Sequence, residues 1–134
     1  MTQQIPLPHP TPLSQPHWDA LRRHELTAQQ CQACGRWAFP PRTLCNNCLS
    51  DKLEWRRSSG RGVVDSFTIV HRPPTPAFDV PYVVVIVRVD EGWHLLSNLV
   101  GCDPDDVKID MPVQVTFREV TPEVTLPLFE PLLK

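Results

Sequence analysis

The sequence Cys31-Gln32-Ala33-Cys34 is followed, after ten residues, by Cys45-Asn46-Asn47-Cys48. Two Cys-x2-Cys pairs at this separation bring four thiolates to the corners of one tetrahedron, which is the geometry of structural Zn²⁺ sites. Four thiolates also suit iron in a rubredoxin-like cage. Because the protein supplies all four ligands, no position stays open for a substrate. We therefore predict a structural metal site, with zinc as the expected ion and iron as the alternative.

The competing interpretation of these cysteines is a pair of disulfides in a secreted domain. The N-terminus has neither a basic region nor a long apolar run, so the sequence shows no secretory signal. The most apolar run, residues 83–87, has the length of a strand and not of a membrane span. We therefore expect a cytoplasmic, reducing environment without membrane contact, in which thiols bind metal instead of forming disulfides.

The distribution of charge limits the classes of ligand. The net charge is −2, but residues 1–62 carry eight Lys/Arg against four Asp/Glu, and residues 63–134 carry five against eleven. A nucleic-acid-binding chain is expected to show a clear basic excess. The pattern instead fits a chain whose basic first half meets an anionic small molecule or a partner protein.

The first half of the chain reads as an arm, a helix and a ribbon. Five prolines within residues 6–16 exclude a helix there and predict an extended arm. We predict a short helix that starts at Ser14 or Gln15 and ends near His24, with Trp18 and Leu21 on its packing face. A strand should follow Leu26, and Pro40 should end the strand between the two cysteine pairs. The glycines of residues 58–62 mark a boundary.

The second half reads as five β-strands. Alternation predicts strands from Val63, over residues 82–89, over residues 93–100 and over residues 113–118, with a short last strand around residues 124–129 that Pro127 interrupts. The strand over residues 82–89 is apolar on both faces, which is typical of a strand covered on each side. The pattern favours a partly open Greek-key barrel of the OB type over a sandwich. We predict a Pro-rich arm with a short helix (1–25), a zinc ribbon (26–59) and an OB-fold barrel with a tail (60–134).

Features along nearly the whole chain resemble a known family. They are His17-Trp18, Leu26, Gln30 to Gly35, Pro40-Pro41-Arg42, Cys45 to Cys48, Trp55, Ser59 to Val64, Phe67-Thr68, Phe78, Pro81-Tyr82, Glu91-Gly92 and Asn98 to Gly101. The family, long classed as a domain of unknown function, joins an N-terminal rubredoxin-like zinc ribbon to an OB-fold barrel and is associated with acyl-CoA metabolism. This sequence departs from the family's usual residues at two places. Asn46-Asn47 stands where the family often has a proline, and Asp110 stands where a turn glycine is common. Asp is among the better non-glycine residues at positive φ.

The resemblance implies a role as an accessory subunit. Members of the family are encoded beside thiolase-like enzymes and bind to them, and the ribbon and barrel help form or position the acyl-CoA site. Other members pair with enoyl-CoA hydratases of the hot-dog fold, or with a thiolase-like aldolase of steroid side-chain breakdown. The resemblance therefore implies a hetero-oligomer that shares acyl-CoA with a thiolase-like acyltransferase, thiolase or aldolase, and a hydratase is the alternative partner.

Candidate ligand contacts lie in the basic half. Arg22, Arg23, Arg36 and Arg42 offer planar guanidinium groups that suit phosphate oxygens of CoA, although each is also compatible with a solvated charge. Trp37 or Phe39 has a ring that can stack on adenine or serve the ribbon core. Single-stranded nucleic acid is the less favoured alternative, since residues 82–89 contribute one Tyr and one Arg among aliphatic residues.

The sequence shows no catalytic constellation. Its five histidines are scattered at no spacing that suggests a dyad, and Glu91 lies in a turn where we expect it to be solvated. The fifth cysteine, Cys102, stands near Asp103 and Asp106, whose charges disfavour a thiolate. We expect Cys102 to be a small, partly buried side chain and the chain alone not to turn over a substrate.

Overall fold

The computed structural model describes residues 6–132, so the outer ends of the predicted arm and tail, residues 1–5 and 133–134, lie outside it. The elements are α1 (Gln15–Arg22), β1 (Thr27–Cys31), β2 (Trp37–Ala38), β3 (Leu53–Arg57), β4 (Arg61–Val70), β5 (Tyr82–Val89), β6 (His94–Leu99), a 3-10 helix (Pro104–Asp106), β7 (Pro112–Glu119) and β8 (Thr125–Pro131). The protein is therefore mostly β, with one short α-helix, as predicted.

Helix α1 packs a small apolar face onto the β-structure. Pro16 lies in its first turn, where the missing N–H is no loss. Ala20 and Leu21 are buried, and Trp18 packs against the same core, which confirms the predicted packing face. The helix ends at Arg22, two residues before the predicted end, because His24 adopts a φ of 58°. Residues 6–10, at the start of the arm, have no regular secondary structure, as their prolines require.

The ribbon is a three-stranded antiparallel sheet of order β2-β1-β3. Strand β2 is only two residues long, because Phe39 is followed by Pro40 and Pro41, which cannot donate to a strand partner. The buried Gln29 of β1 fixes the segment beyond these prolines. Its side-chain amide donates to the carbonyl oxygen of Arg42 at 3.1 Å, and its amide oxygen accepts from the backbone N–H of Arg42 at 2.7 Å.

The second half forms a closed five-stranded barrel of order β4-β5-β6-β8-β7. All pairs are antiparallel except β6 with β8, which are joined in parallel at the single position Leu99–Phe129. The barrel is thus closed, whereas we predicted it to be partly open. The strand pairing that closes it, between β6 and β8, consists of that single residue pair. Strand β8 also runs through Pro127 without a break, because Pro127 pairs with Phe117 at a place where no N–H is needed.

The core runs without a gap from the helix and ribbon into the barrel. Leu21, Leu26 and Ala28 belong to the same buried cluster as the fully buried Val64, Val85 and Phe129 of the barrel. The ring of Phe39 lies 5.1 Å from that of Trp93, so the ribbon contacts the barrel through an aromatic pair. Aromatic pairs at this distance add stabilisation beyond that of area burial.

Strand β5 departs from its prediction in one respect. Val83, Val85, Val87 and Val89 are buried in the barrel, but the residues between them are partly or fully exposed. The apolar run predicted a strand covered on each face, whereas this chain covers only one. The uncovered face carries Val84 and Ile86.

Candidate metal centre and basic pocket

The four ribbon cysteines meet at one point. Their sulfur atoms all lie within 4.8 Å of one another, and the Cys31–Cys48 and Cys34–Cys45 pairs are each 3.6 Å apart. A disulfide needs about 2.05 Å, so these are thiols and not bridges. Tetrahedral Zn–S bonds of about 2.3 Å place sulfurs about 3.8 Å apart. The four cysteines are therefore positioned for metal binding.

Local backbone turns create this arrangement. Each Cys-x2-Cys pair closes a tight turn, with the N–H of Gly35 donating to the carbonyl oxygen of Cys31 at 2.8 Å and the N–H of Leu49 donating to that of Cys45 at 2.9 Å. Both residues after the turns have positive φ, 81° for Gly35 and 65° for Leu49. Gly35 adopts this conformation without strain, whereas Leu49 does so at a cost.

The backbone also stabilises negative charge on the sulfurs. The backbone N–H of Arg36 is the main cause that lowers the pKa of the Cys34 thiol to about 6. The backbone N–H groups of Cys48 and then Asn47 lower the pKa of Cys45. For Cys48 the N–H of Ser50 acts in the same direction, but burial and the three neighbouring sulfurs outweigh it and raise its pKa to about 12. Four thiolates can coexist here only with a cation between them, so the donor set fits a metal ion.

Cys102 stands apart from this cluster, as predicted. It is partly buried beside the core of the barrel. Burial, followed by the charges of Asp106 and Asp103, raises the pKa of its thiol. A thiol of this kind is a poor nucleophile.

A basic pocket of about 500 Å³ opens between the first cysteine turn and the β5–β6 turn. Arg36, Trp37 and Arg42 line it from the ribbon, and Glu91, Trp93 and His94 line it from the barrel. The hydrogen bonds from Gln29 described above hold the backbone of Arg42 in place. The pocket therefore combines two guanidinium groups with an indole ring, a set that suits a phosphate-bearing aromatic ligand.

The four predicted arginines do not share one site. Arg22 and Arg23 line a separate depression together with Asp19 and Glu119, two residues of opposite charge. Arg23 also forms an ion pair of 3.6 Å with Glu25. Two carboxylates line this second depression, whereas the basic pocket has one, Glu91, which already accepts hydrogen bonds from Ser58 and Ser59. The balance of charge therefore favours phosphate binding in the pocket that contains Arg36 and Arg42.

The expectation that Glu91 is solvated is wrong. Its carboxylate accepts hydrogen bonds from the hydroxyl of Ser58, from the backbone N–H of Ser59 at 3.1 Å and from the hydroxyl of Ser59 at 3.3 Å. Glu91 thus joins the β5–β6 turn to the connection between ribbon and barrel. Sequence reasoning also missed Trp93 and His94 as pocket residues, because no local signal links them to the ribbon.

Asp110 adopts a φ of 67°, which confirms that an aspartate takes the place of a turn glycine there. Its carboxylate lies 3.8 Å from the guanidinium of Arg88, which also pairs with Asp65 at 3.3 Å. These exposed pairs contribute little to stability.

Within residues 6–132 no helix has the length and hydropathy needed to cross a membrane.

Comparison with known proteins identifies the family. Residues 18–54 match the model of the ChsH2 rubredoxin-like zinc ribbon domain, and residues 55–118 match that of the ChsH2 C-terminal OB-fold domain. A DUF35 domain-containing scaffold protein of Methanothermobacter thermautotrophicus is 38% identical over 104 residues, which cover 76% of this chain and 78% of the relative. The chain belongs to the DUF35 family. The resemblance found in the sequence is thereby confirmed.

Two further matches connect this DUF35 chain with named enzymes. A protein of Thermomonospora curvata named "Probable enoyl-CoA hydratase alpha subunit" is 41% identical over 114 residues. The match covers 85% of this chain but 36% of that subunit, so the DUF35 chain spans about a third of its length. A solved structure described as "Ltp2-ChsH2(DUF35) aldolase" contains a chain that is 39% identical, with a TM-score of 0.86 over 92% of this chain and 98% of that one.

Proposed function

We propose that this DUF35 chain is a non-catalytic accessory subunit that binds a thiolase-like enzyme and helps form or position its acyl-CoA site. The observation that carries the proposal is the basic pocket, in which Arg36 and Arg42 converge beside Trp37. It supports a ligand with phosphates and an aromatic base, and the nucleotide end of CoA has both. The solved aldolase complex supports a partner enzyme, and the relative named as an enoyl-CoA hydratase subunit supports an acyl-CoA ligand.

The chemistry of the pocket suits the nucleotide end of CoA. A guanidinium group donates two parallel hydrogen bonds to phosphate oxygens, and an indole ring offers a flat surface for adenine. A volume of about 500 Å³ falls in the range of small-molecule sites. The pocket is partly open to solvent, and a partner enzyme would complete it and hold the thioester end of the ligand.

The metal supports this pocket without chemistry of its own. We propose Zn²⁺ bound by Cys31, Cys34, Cys45 and Cys48, with iron as the alternative that four thiolates also accept. Arg36 lies two residues after Cys34, and Arg42 lies three residues before Cys45. The ion therefore fixes both ends of the segment that carries the two arginines.

A hot-dog-fold enoyl-CoA hydratase is the second candidate partner. The observation that favours it is the hydratase subunit of Thermomonospora curvata, which contains a region matching most of this chain. The two candidates predict different companions for the same pocket. They are separated by measuring which purified enzyme, thiolase-like or hot-dog-fold, forms a stable complex with the metal-loaded chain.

The CoA pocket is tested by binding measurements on the complex. The metal-loaded chain is combined with a purified thiolase-like enzyme, and CoA is titrated into the complex by calorimetry. We expect Arg36→Ala with Arg42→Ala to weaken CoA binding by about tenfold or more, because each removes a charge-assisted hydrogen bond to phosphate. Arg22→Ala with Arg23→Ala is the matched control and should leave the Kd unchanged. Equal affinity of both double variants for CoA would contradict the assignment.

A further inference from the structure

The outer face of β5 and β6 is an apolar surface that this chain covers only in part. Val84 and Ile86 alternate with the buried valines of β5 and therefore point away from the barrel interior. Ile86 pairs across the sheet with Leu96 of β6, and Leu96 is 67% exposed. We call these three side chains, with the grooves on either side of Leu96, the β5–β6 face.

Two grooves extend this face on both sides of Leu96. One, of about 260 Å³, runs along β4 and β5 and is lined by Phe67, Val84 and Ile86. The other, of about 400 Å³, runs towards the ribbon and is lined mainly by apolar side chains, among them Trp18, Phe39 and Leu126. Neither groove is lined by Lys, Arg, Asp or Glu. Burial, opposed by a hydrogen bond to the carbonyl oxygen of Thr27, lowers the pKa of His17, so this groove residue is neutral.

The chemistry of the β5–β6 face selects a protein as its occupant. In OB folds the second and third strands form a common ligand-binding face, and here these strands are β5 and β6. A nucleic-acid binder needs aromatic rings and cationic side chains on that face. The three side chains at the centre of this face are aliphatic, and although Phe67, Trp18 and Phe39 bring rings into the grooves, no Lys or Arg lines either groove. Uncharged apolar patches of this kind mark protein–protein contacts.

The sequence pattern points the same way. The run over residues 82–89 is apolar on both faces, which is typical of strands covered on each side, yet this chain covers only the inner face. A partner protein seated on this face would complete the cover of Val84 and Ile86, which are only partly buried. Phe39 lines both the groove beside Leu96 and the basic pocket, so a protein seated on the face would reach the edge of the pocket.

We infer that the β5–β6 face is the surface on which the partner enzyme docks, through an apolar, uncharged patch of that enzyme. The inference rests on the proposed function and adds to it the place and chemistry of the contact. It accounts for the uncovered face of β5, for the absence of charge around Leu96, and for the continuity of the face with the basic pocket at Phe39.

Leu96→Asp tests the inference, because it places a charge at the most exposed point of the face. The Kd of the metal-loaded chain for a purified thiolase-like enzyme is measured by calorimetry. Interface hot spots cost more than about tenfold in affinity when truncated, so we expect a loss of about thirtyfold or more with Leu96→Asp and a smaller loss with Leu96→Ala. Ile109→Asp is the matched control, since Ile109 is 55% exposed outside both grooves.

The outcomes separate the inference from the proposed function. If the wild-type chain binds the thiolase-like enzyme and both Leu96→Asp and Leu96→Ala bind it with the same Kd, the docking face is overturned and the proposed function stands. A wild-type chain that binds no thiolase-like enzyme would overturn both. A wild-type dimer in sedimentation, dissociated by Leu96→Asp, would identify a second copy of this chain as the occupant and overturn the inference. Leu96→Ala keeps the test decisive if the charged variant does not fold.

Discussion

Removing the carboxylate of Glu91 should loosen the connection between ribbon and barrel. Glu91→Ala deletes the acceptor of three hydrogen bonds, two from hydroxyl groups and one from the backbone N–H of Ser59. Ser58, one of the donors, is buried, so its hydroxyl would be left without this partner. Glu91 is partly buried, which keeps water from replacing the lost bonds in full.

The magnitude follows from the bonds that are lost. A hydrogen bond to a charged group contributes about 1.5–3 kcal/mol, and three bonds to one carboxylate are not additive. One of the three is long, at 3.3 Å. We therefore expect Glu91→Ala to lower the free energy of unfolding by about 2–3 kcal/mol. For a domain of this size that corresponds to a decrease in Tm of about 10 °C.

Calorimetric unfolding of the metal-loaded chain measures this change. The Tm of Glu91→Gln should fall between those of wild type and Glu91→Ala. Its amide keeps one oxygen that accepts a hydrogen bond, but its NH2 group faces the hydrogen-bond donors of Ser58 and Ser59. Glu123→Ala, at an exposed turn, is the control and should leave Tm unchanged. A Tm of Glu91→Ala within about 2 °C of wild type would refute the reasoning.

Two further predictions concern the ribbon. Cys34→Ser should lose the metal ion and unfold the ribbon, because metal binding and folding are coupled there. Cys102→Ser is the control and should keep both the ion and the folded ribbon. Elemental analysis and thermal unfolding measure the two effects, and full metal content in Cys34→Ser would contradict the prediction. Leu49→Gly should raise the free energy of unfolding by about 1 kcal/mol, because Leu49 is 73% exposed at a φ of 65° and gives up little burial. Leu49→Ala retains a Cβ and should gain nothing, so equal stability of the two variants would count against a strained backbone.

Local patterns allowed much of the fold to be predicted from the sequence. The cysteine spacing predicts the cluster of four sulfurs, because the ligands of each turn are only three residues apart. Pro16 and the spacing of Trp18 and Leu21 predict α1, and alternation predicts the five strands of the barrel. These features depend on neighbours along the chain, so the sequence carries them directly.

Contacts between distant segments could not be predicted in this way. Nothing near Glu91 indicates that it accepts hydrogen bonds from Ser58 and Ser59, and nothing near Trp93 indicates a pocket shared with Arg36. The closure of the barrel depends on one parallel pair, Leu99 with Phe129, which has no alternation signal of its own. The strand over residues 82–89 was predicted correctly, but the expected cover on both of its faces was wrong, because this chain leaves Val84 and Ile86 only partly buried.

The joint between ribbon and barrel limits how members of this family can be recombined. Phe39 meets Trp93, and Glu91 holds the two serines that precede the barrel, so the segments on each side of the boundary depend on one another. A chimera that carries the ribbon of one relative on the barrel of another would have mismatched side chains along this seam. The cysteine-bearing half and the strand-bearing half therefore have to be exchanged together, although each resembles a module found elsewhere.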